Sequence, residues 1–402
     1  MAAHCPVLTA DAAMSTAETL AAEFAVGAAG RDSARELPRR EVERLSASGL
    51  LAITVPREYG GADLPPSVVA EVIRILATGD PNIAQIPHSH FVYVNLLRLA
   101  GSAEQLRHYS GELVRGARIA NAQAERNGPT AADITTTLRP VDGRLRIDGT
   151  KYYCTGSLFA DILAVLTRLD DPDGVTGLPD GQYVALLHAG TAGVRIADDW
   201  DALGQRTTGS GTIHFDGVLV EPAQVVPRAP AVGAPTGYGA FAQLMHAAID
   251  AGIARGALEA AATFVREKSR PWFEAGVERA ADDPLVIQRF GELAVAVRAA
   301  EAALTVAGTA VDEVVEFPDA NRAAEASLAV ATAKVLSDRA ANEVASALFE
   351  VSGTRSAAAD LNLDHFWRNA RTHTLHDPVR WKYQHIGRAI VHGTPPPLHS
   401  AI

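Results

Sequence analysis

Apolar residues recur along the chain with two different periods, and the changes of period divide it into three parts. From about residue 16 to 115 the spacing is helical, as in the run Val68, Val69, Val72, Ile73, Ile75 and Leu76. From about residue 119 to 226 the period becomes two, in short runs such as Tyr183 to Leu187 that Gly-rich turns separate. After a connector rich in Pro and Gly, helical spacing returns in three long segments rich in Ala and Leu, at residues 241–268, 284–315 and 322–351.

This order predicts an α+β protein of several domains. We expect an N-terminal helical domain (residues 1–117), a middle antiparallel β-barrel-like domain (118–228) and a C-terminal four-helix bundle (229–402). Strands and helices do not alternate, which disfavours a doubly wound parallel sheet. Small side chains on several faces of the last helices permit close packing and favour an oligomer. Within the first domain a loop is predicted by adjacent Pro and Gly residues, namely Pro56, Gly60, Gly61, Pro65 and Pro66.

The composition of the chain limits the classes of binding partner that we expect. The chain has 402 residues, of which 48 % are hydrophobic and 21 % charged, as in ordinary globular proteins. Its formal charge of −11, without basic runs, predicts neither a nucleic acid nor a membrane partner. Cys5 and Cys154 match no metal-ligand spacing, so we expect reduced thiols and no metal. The chain starts without a signal-peptide pattern and has no stretch of roughly 18 uncharged apolar residues, which predicts a cytoplasmic location.

Four segments, in matching order and spacing, resemble the acyl-CoA dehydrogenase superfamily: LSASGLLAITVPREYGGADL, IDGTKYYCTGSLFAD, LGQRTTGSGTIHFDGVLVEP and LFEVSGTRSAAADLNLDHFWRNARTHTLHD. The resemblance spans about residues 37 to 387 and implies the acyl-CoA dehydrogenase fold. Within that superfamily, the segments AQAERNG, WDALGQRTTGSGT, SRPW and THTLHDP most resemble the sulfur-acquisition oxidoreductases and dibenzothiophene monooxygenases.

That resemblance implies a cofactor and partners. Such enzymes take reduced FMN from a separate NAD(P)H flavin reductase and use O2 to insert one oxygen atom into a small substrate, commonly at sulfur. The oxygen donor is a flavin C4a-hydroperoxide. FMN, as FMNH2, is therefore the expected cofactor, with FAD as the other flavin that the fold accepts. The same resemblance implies a homotetramer, or at least a dimer, because a neighbouring subunit contacts the flavin.

The dehydrogenase base is missing from both places where the superfamily keeps it. A Glu follows the RDA(R/K)-like motif in dehydrogenases, where it removes a proton next to the thioester carbonyl; here His376 takes that place. The stretch Ala240 to Leu244, the other place for this Glu, has no carboxylate. A one-residue slip would put Asp377 at the base position, although an N-cap before Pro378 is the favoured interpretation of this residue. We expect His376 to act on oxygen as an imidazole that titrates near neutrality.

Three further residues are predicted to be catalytic through the resemblance. The second histidine is assigned to His90, with His88 as the alternative, and a purely structural histidine is equally common at such a position. Asn121 resembles an amide near the flavin, since an amide can donate and accept hydrogen bonds, and its alternative is an ordinary turn Asn. Thr155 matches a Ser or Thr whose hydroxyl bonds flavin N5.

The remaining flavin contacts are also carried over from the family. Tyr153 corresponds to an aromatic residue against the isoalloxazine, with a β-strand core position as its alternative. Arg270 resembles an Arg that reaches a neighbouring subunit's flavin phosphate, a role suited to a permanently charged bidentate donor, and its alternative is a solvent-facing helix-end Arg. The turn at Gly353 and Thr354 resembles the loop that passes the outer end of the flavin.

Other functions remain open at this point. A flavin-dependent amine N-hydroxylase would have the same sequence pattern, because the walls of the pocket decide which heteroatom is oxidised. An acyl-CoA dehydrogenase is disfavoured by the missing Glu. A cofactor-free helical scaffold or binding protein is the alternative outside enzymology.

Overall fold

The computed structural model describes residues 5–130 and 132–402. Six helices come first: α1 (Ala10–Ala25), α2 (Ala28–Ala34), α3 (Arg39–Ala47), α4 (Pro66–Gly79), α5 (Pro81–Ala100) and α6 (Ala103–Leu113). Eight strands follow: β1 (Ile119–Ala122), β2 (Thr137–Val141), β3 (Arg144–Cys154), β4 (Ile162–Leu169), β5 (Gln182–His188), β6 (Val194–Ala197), β7 (Gly211–Val220) and β8 (Val225–Pro227). The last helices are α7 (Ala229–Val232), α8 (Tyr238–Glu267), α9 (Pro284–Glu316), α10 (Ala320–Ser352), α11 (Asp364–His373) and α12 (Arg380–His392).

The predicted α+β architecture is confirmed, with two local corrections. The strands form one sheet in the order β6-β7-β3-β2-β4-β5-β8, but it is mixed rather than antiparallel, because β1 and β2 both pair in parallel with β4. In the first domain, Pro66 begins α4 instead of belonging to the loop. Proline suits the first position of a helix because the N–H that it lacks would have no partner there.

The long helix α8 is the centre of the molecule and is buried on nearly all its faces. Its glycines allow α4 to approach closely: a Cβ at Gly252 would lie 2.4 Å from the carbonyl oxygen of Arg74, and one at Gly256 would lie 2.6 Å from that of Thr78. The helix also packs on α5, α9, α10 and α11. It therefore ties the first domain to the C-terminal bundle.

Helix α9 differs from α8 because much of its apolar surface faces outward. Within the described residues it is the one helix long and apolar enough, by length and composition, to cross a membrane. It nevertheless packs along α8 and α10 as a member of the bundle. Four of its apolar side chains remain more than half exposed: Leu285, Ile287, Val295 and Val306.

A loop between β6 and β7 joins the β domain to the bundle. At Gly204 it runs so close to α11 that a Cβ there would lie 2.0 Å from the carbonyl oxygen of Arg368. The backbone N–H of Gln205 donates to Oδ1 of Asn369 on α11 over 2.7 Å. Because α11 leads directly to His373 and His376, this junction fixes the segment in which the sequence predicted the catalytic histidine.

Candidate active site

Three imidazole rings from different parts of the chain stack against one another. His246 of α8 lies between His88 of α5 and His376, with ring centroids 4.0 Å and 3.8 Å away, respectively. The two outer rings are 6.3 Å apart. His88 is oriented by a 3.0 Å hydrogen bond from Nε2 to the carbonyl oxygen of Ala242. The histidine stack, as we call these three residues, thus lies where α5 meets α8 and where the chain leaves α11.

A chain of hydrogen bonds leads from this stack into the bundle. His246 Nδ1 lies 3.1 Å from Nε2 of His373, and His373 Nδ1 lies 2.5 Å from Oδ1 of Asp250. The other oxygen of Asp250 accepts a hydrogen bond from Nζ of Lys334 over 2.6 Å. The side chains of Asp250, Lys334 and His373 have no accessible surface. A buried charge persists only when it is paired in this way.

The stacked imidazoles are neutral at physiological pH. Burial, followed by the neighbouring imidazoles, lowers the pKa of His88 to about 3 and that of His246 well below its ordinary value. The pKa of His376 falls to about 4, chiefly because the surrounding protein desolvates the ring, although Asp377 opposes the shift. The expectation that His376 titrates near neutrality is therefore wrong. Its ring keeps 46 % of its side-chain surface accessible and can offer one N–H donor and one nitrogen acceptor.

Asp377 does not cap a helix, contrary to the sequence-based interpretation. Helix α12 begins two residues beyond Pro378, and its N-cap, Val379, makes no side-chain cap. Asp377 instead is buried and accepts a 3.0 Å hydrogen bond from Lys382 Nζ. It lines a cavity of about 510 Å³ between α12 and the C-terminal segment, and His376 does not line that cavity. The Asp377 carboxylate thus faces a cavity that the imidazole does not line, although its Oδ1 lies 3.9 Å from Nδ1 of His376.

His90 lies outside the histidine stack. Its Nε2 donates to the carbonyl oxygen of Leu51 over 2.8 Å, and its Nδ1 accepts from the backbone N–H of Ile119 over 3.2 Å. The ring is 1 % exposed, so both nitrogens are used by main chain that links the first domain to β1. The structure brings His88, the alternative, to the site instead.

Asn121 and Thr155 lie on two elements of the β domain that pack together: Asn121 on β1 and Thr155 directly after β3. The buried Oδ1 of Asn121 has no hydrogen-bond partner in the described part of the chain. Thr155 Oγ1 lies 2.9 Å from Oγ of Ser210. A Cβ at the adjacent Gly156 would lie 3.5 Å from the carbonyl oxygen of Ile86, which places this turn against α5 just before His88. An orphaned buried oxygen and a hydroxyl pair fit a site for a polar ligand.

Tyr153 has a strained backbone and an exposed ring. Its φ of 57° lies in the left-handed region, within an irregular stretch of the ladder between Lys151 and Cys154. The ring is 47 % exposed, meets Trp200 edge-on with centroids 6.0 Å apart, and lies under the guanidinium of Arg126. A non-glycine residue in this region is a recognised mark of functional sites. The strand-core alternative for Tyr153 does not fit this exposure.

Arg270, Gly353 and Thr354 share one surface at the far end of the bundle. Ser269 Oγ donates to the carbonyl oxygen of Ser352 over 2.9 Å, which holds the SRPW loop against the end of α10. Gly353 ends that helix with a φ of 74°, and Arg270 and Thr354 are exposed. From Lys334 to Gly353 the rise along α10 is about 28 Å. In one chain these residues therefore lie far from the histidine stack.

Sequence reasoning missed five residues of the site: His246, Asp250, Lys334, His373 and Lys382. A signal for three of them was present. His246 and Asp250 stand four residues apart in the otherwise apolar stretch of residues 244–254 and so share one face of the helix. Lys334 is likewise a single charge among alanines and valines. Such residues are rarely buried unless they are paired.

Comparison with known proteins places this geometry in a family. The chain matches the acyl-CoA dehydrogenase N-terminal domain over residues 10–117, the middle domain over 122–218 and the C-terminal domain over 244–381. It is 34 % identical to a dibenzothiophene monooxygenase of Rhodococcus qingshengii, over 95 % of this chain and 94 % of the relative. It is 30 % identical to the probable FMNH2-dependent monooxygenase SfnC of Pseudomonas putida, over 93 % of each chain.

A solved structure agrees with these relatives. The FMN-bound crystal structure of TdsC from Paenibacillus sp. A11-2 superposes with a TM-score of 0.91 at 34 % identity, over 97 % of this chain and all of that one. The resemblance read from the sequence is thus confirmed. The chain belongs to the acyl-CoA dehydrogenase superfamily, in the group that contains the dibenzothiophene monooxygenases.

Proposed function

We propose that this protein is a two-component monooxygenase that receives reduced FMN from a separate NAD(P)H flavin reductase and inserts one atom of O2 into a small organosulfur substrate. One observation supports this function over dehydrogenation. Both carboxylates near the stack are neutralised by lysines, Asp250 by Lys334 and Asp377 by Lys382, so neither is a free base. The side chain that keeps accessible surface is the neutral imidazole of His376.

The residues around the stack fit a flavin. Asn121 offers an unpartnered buried oxygen, Thr155 a hydroxyl, and Tyr153 with Trp200 an accessible aromatic surface. We propose that these side chains hold the isoalloxazine ring. Reduced FMN, when bound there, supplies the electrons that activate O2 and delivers one oxygen atom to the substrate.

The chain's own groups then have separate tasks. His376, as a neutral imidazole, donates or accepts one hydrogen bond at the reacting centre, and His88 does so from α5. His246, which is buried between the two outer rings, is shielded from water, and this strengthens the hydrogen bonds of its ring nitrogens.

We further propose a homotetramer, in which Arg270 of one subunit binds the flavin phosphate of another. The distance along α10 separates Arg270 and Gly353 from the stack in the same chain, and Arg270 is exposed and makes no hydrogen bond within the described residues. The outward apolar side chains of α9 provide a surface for such an assembly.

The experiment supplies purified protein with FMN, NADH, a flavin reductase, isotopically labelled O2 and dibenzothiophene. We expect one labelled oxygen atom at sulfur for each turnover, and no product from oxidised FMN alone. His376→Ala should lower the rate about a hundredfold, since a positioned acid–base group contributes roughly 10²–10⁴-fold, while FMN binding persists. His108→Ala, which removes an exposed imidazole, is the matched control and should leave the rate unchanged.

Two outcomes would replace this function. Bleaching of bound oxidised flavin by an acyl-CoA thioester would identify a dehydrogenase. Oxygenation of an amine but not of dibenzothiophene or an alkyl sulfide would identify an N-hydroxylase. Chromatography of the flavin that the protein retains distinguishes FMN, which we propose, from FAD.

A further inference from the structure

The proposed chemistry assigns no role to the buried charged and polar groups that continue from the histidine stack into the bundle. We propose that Lys334, Asp250, His373 and His246 form a proton relay that fixes the tautomer of His246 and stores a proton, which the histidine stack exchanges with the space proposed above for the flavin, here called the active-site cavity. Asp250 and His373 are positioning residues in this proposal, because they act through His246. The effect that we expect on the rate of oxygenation rests on the proposed function, whereas the tautomers that we expect for His373 and His246 do not.

The hydrogen bonds determine where the protons are. Lys334 can only donate, and an ionised Asp250 can only accept, so His373 must carry its hydrogen on Nδ1. When His373 is neutral, its Nε2 is then an acceptor, and His246 must donate from Nδ1. This leaves Nε2 of His246 as a bare acceptor, and that nitrogen makes no hydrogen bond within the described residues.

Such a chain can move one proton. A proton that arrives at Nε2 of His246 from a donor in the cavity releases the hydrogen on Nδ1 to Nε2 of His373. His373 then becomes an imidazolium in contact with the carboxylate of Asp250, and the reverse transfer returns the proton to the cavity. An imidazolium hydrogen-bonded to a buried carboxylate is a stabilised arrangement.

The stack itself cannot store that proton. A single positive charge on its rings would have no carboxylate in hydrogen-bond contact within the described residues, since Asp377 Oδ1 comes only within 3.9 Å of His376 Nδ1. Of the charged groups outside the relay, Lys382 is a cation, Asp377 is paired with it, and Asp338 lies one turn beyond Lys334 on α10. Asp250 is the carboxylate in hydrogen-bond contact with a histidine of the set.

Asp250→Asn makes the relay testable because an amide has one oxygen and one NH2 group. Since Lys334 only donates, the amide oxygen should turn to Lys334 and the NH2 group to His373. His373 would then have to accept at Nδ1 and carry its hydrogen on Nε2. Both histidines should therefore switch tautomer, and His246 should present an N–H to the cavity instead of a bare nitrogen.

Neutron diffraction from deuterated crystals of the flavin-free protein reads these tautomers directly. At about pH 8, in the relay without its stored proton, we expect deuterium on Nδ1 of His373 and of His246 and none on Nε2 of His246. A bare Nδ1 on His373, or deuterium on Nε2 of His246 while Nε2 of His373 is bare, would overturn the relay. The wild-type measurement needs no variant, so the proposal remains testable even where Asp250→Asn does not fold.

Kinetics separate the relay from a merely structural ion pair. In Asp250→Asn we expect kcat for sulfur oxygenation to fall about a hundredfold with KM little changed, and the dependence of kcat on pH to change shape. The matched control is Asp80→Asn, which also neutralises a buried acid paired with a cation, Arg31, and keeps its helix cap. Equal losses in the two variants with unchanged pH profiles would refute the relay. An absence of oxygenation in the wild type would refute the proposed function and leave the tautomers to be judged by diffraction.

Discussion

His88 and His90 stand two residues apart on α5 and face different surroundings. His88 reaches the stack, where its Nδ1 has no main-chain partner, while His90 has both nitrogens bound to main chain. Two residues of a helix are separated by about 200°, so at most one of the pair can face the bundle. The resemblance pointed to this segment but could not choose the face.

We predict that His90→Phe destabilises the protein without removing its chemistry. The change leaves the carbonyl of Leu51 and the N–H of Ile119 without partners, which should cost about 2–4 kcal/mol of unfolding free energy. Urea denaturation measures this cost, and the oxygenation rate for each folded molecule should be retained. His108→Phe, at an exposed site, is the control for the substitution itself.

The same variant should also change the response to acid. Burial lowers the pKa of His90 to about 4 from 6.5, so between these values the unfolded chain binds a proton that the folded protein does not. His90 therefore contributes stability above pH 6.5 that is lost as the pH falls towards 4. The stability difference between wild type and His90→Phe should be smaller at pH 5 than at pH 7.5, and a difference independent of pH would contradict this account.

At the scale of elements, the contact between α4 and α8 depends on the absence of side chains. Gly252 and Gly256 stand four residues apart on α8, on the face that meets α4. This contact holds α8 in the position from which His246 and Asp250 face the site. The glycines thus determine site geometry although neither belongs to the site.

We predict that Gly252→Ala lowers the free energy of unfolding by about 1–3 kcal/mol, because its Cβ would overlap the backbone of α4. Gly291→Ala on α9 is the matched control, since a Cβ there meets nothing within 4 Å. That control should stabilise the protein by about 0.5–1 kcal/mol, as Ala replaces Gly in a helix interior. Chemical denaturation compares the two, and equal effects would show that α4 and α8 do not approach so closely.

At the scale of the whole molecule, the described chain does not bring its own predicted phosphate-binding residues to its own histidine stack. Arg270 lies at one end of the bundle and the stack beside the middle of α10. A second copy would supply that arginine, and the apolar outward side of α9 is a surface on which copies can associate.

We predict that Val295→Glu converts the assembly into smaller species, because a charge replaces a 68 % exposed valine on α9. Light scattering coupled to gel filtration measures the mass, and FMN affinity should fall together with it as Arg270 is lost from the site. Val26→Glu, which changes a 77 % exposed valine outside the bundle, should leave the mass unchanged. A wild-type protein that is monomeric at micromolar concentration would contradict both the interface and the shared flavin site.

The local pattern of apolar residues was sufficient to predict the long helices of the bundle. The segments predicted at residues 241–268, 284–315 and 322–351 match α8, α9 and α10 within a few residues, because helical periodicity and caps such as Asp283 and Asp319 act within a few positions of the chain. The absence of the dehydrogenase Glu and the histidine in its place could likewise be identified from the sequence alone. The parallel pairing of β1 and β2 with β4 was not, because strand direction depends on which strands meet.

Only the tertiary structure decided the chemical state of the site. The stack and its relay join residues from α5, α8, α10 and the end of α11, and no local rule links His88 to His376 or Asp250 to Lys334. The neutral state of His376 also follows from what surrounds the ring rather than from its neighbours in sequence. The sequence by itself therefore determined the fold and the missing base, whereas long-range packing, through burial and hydrogen bonding, determined which imidazoles meet and where their protons lie.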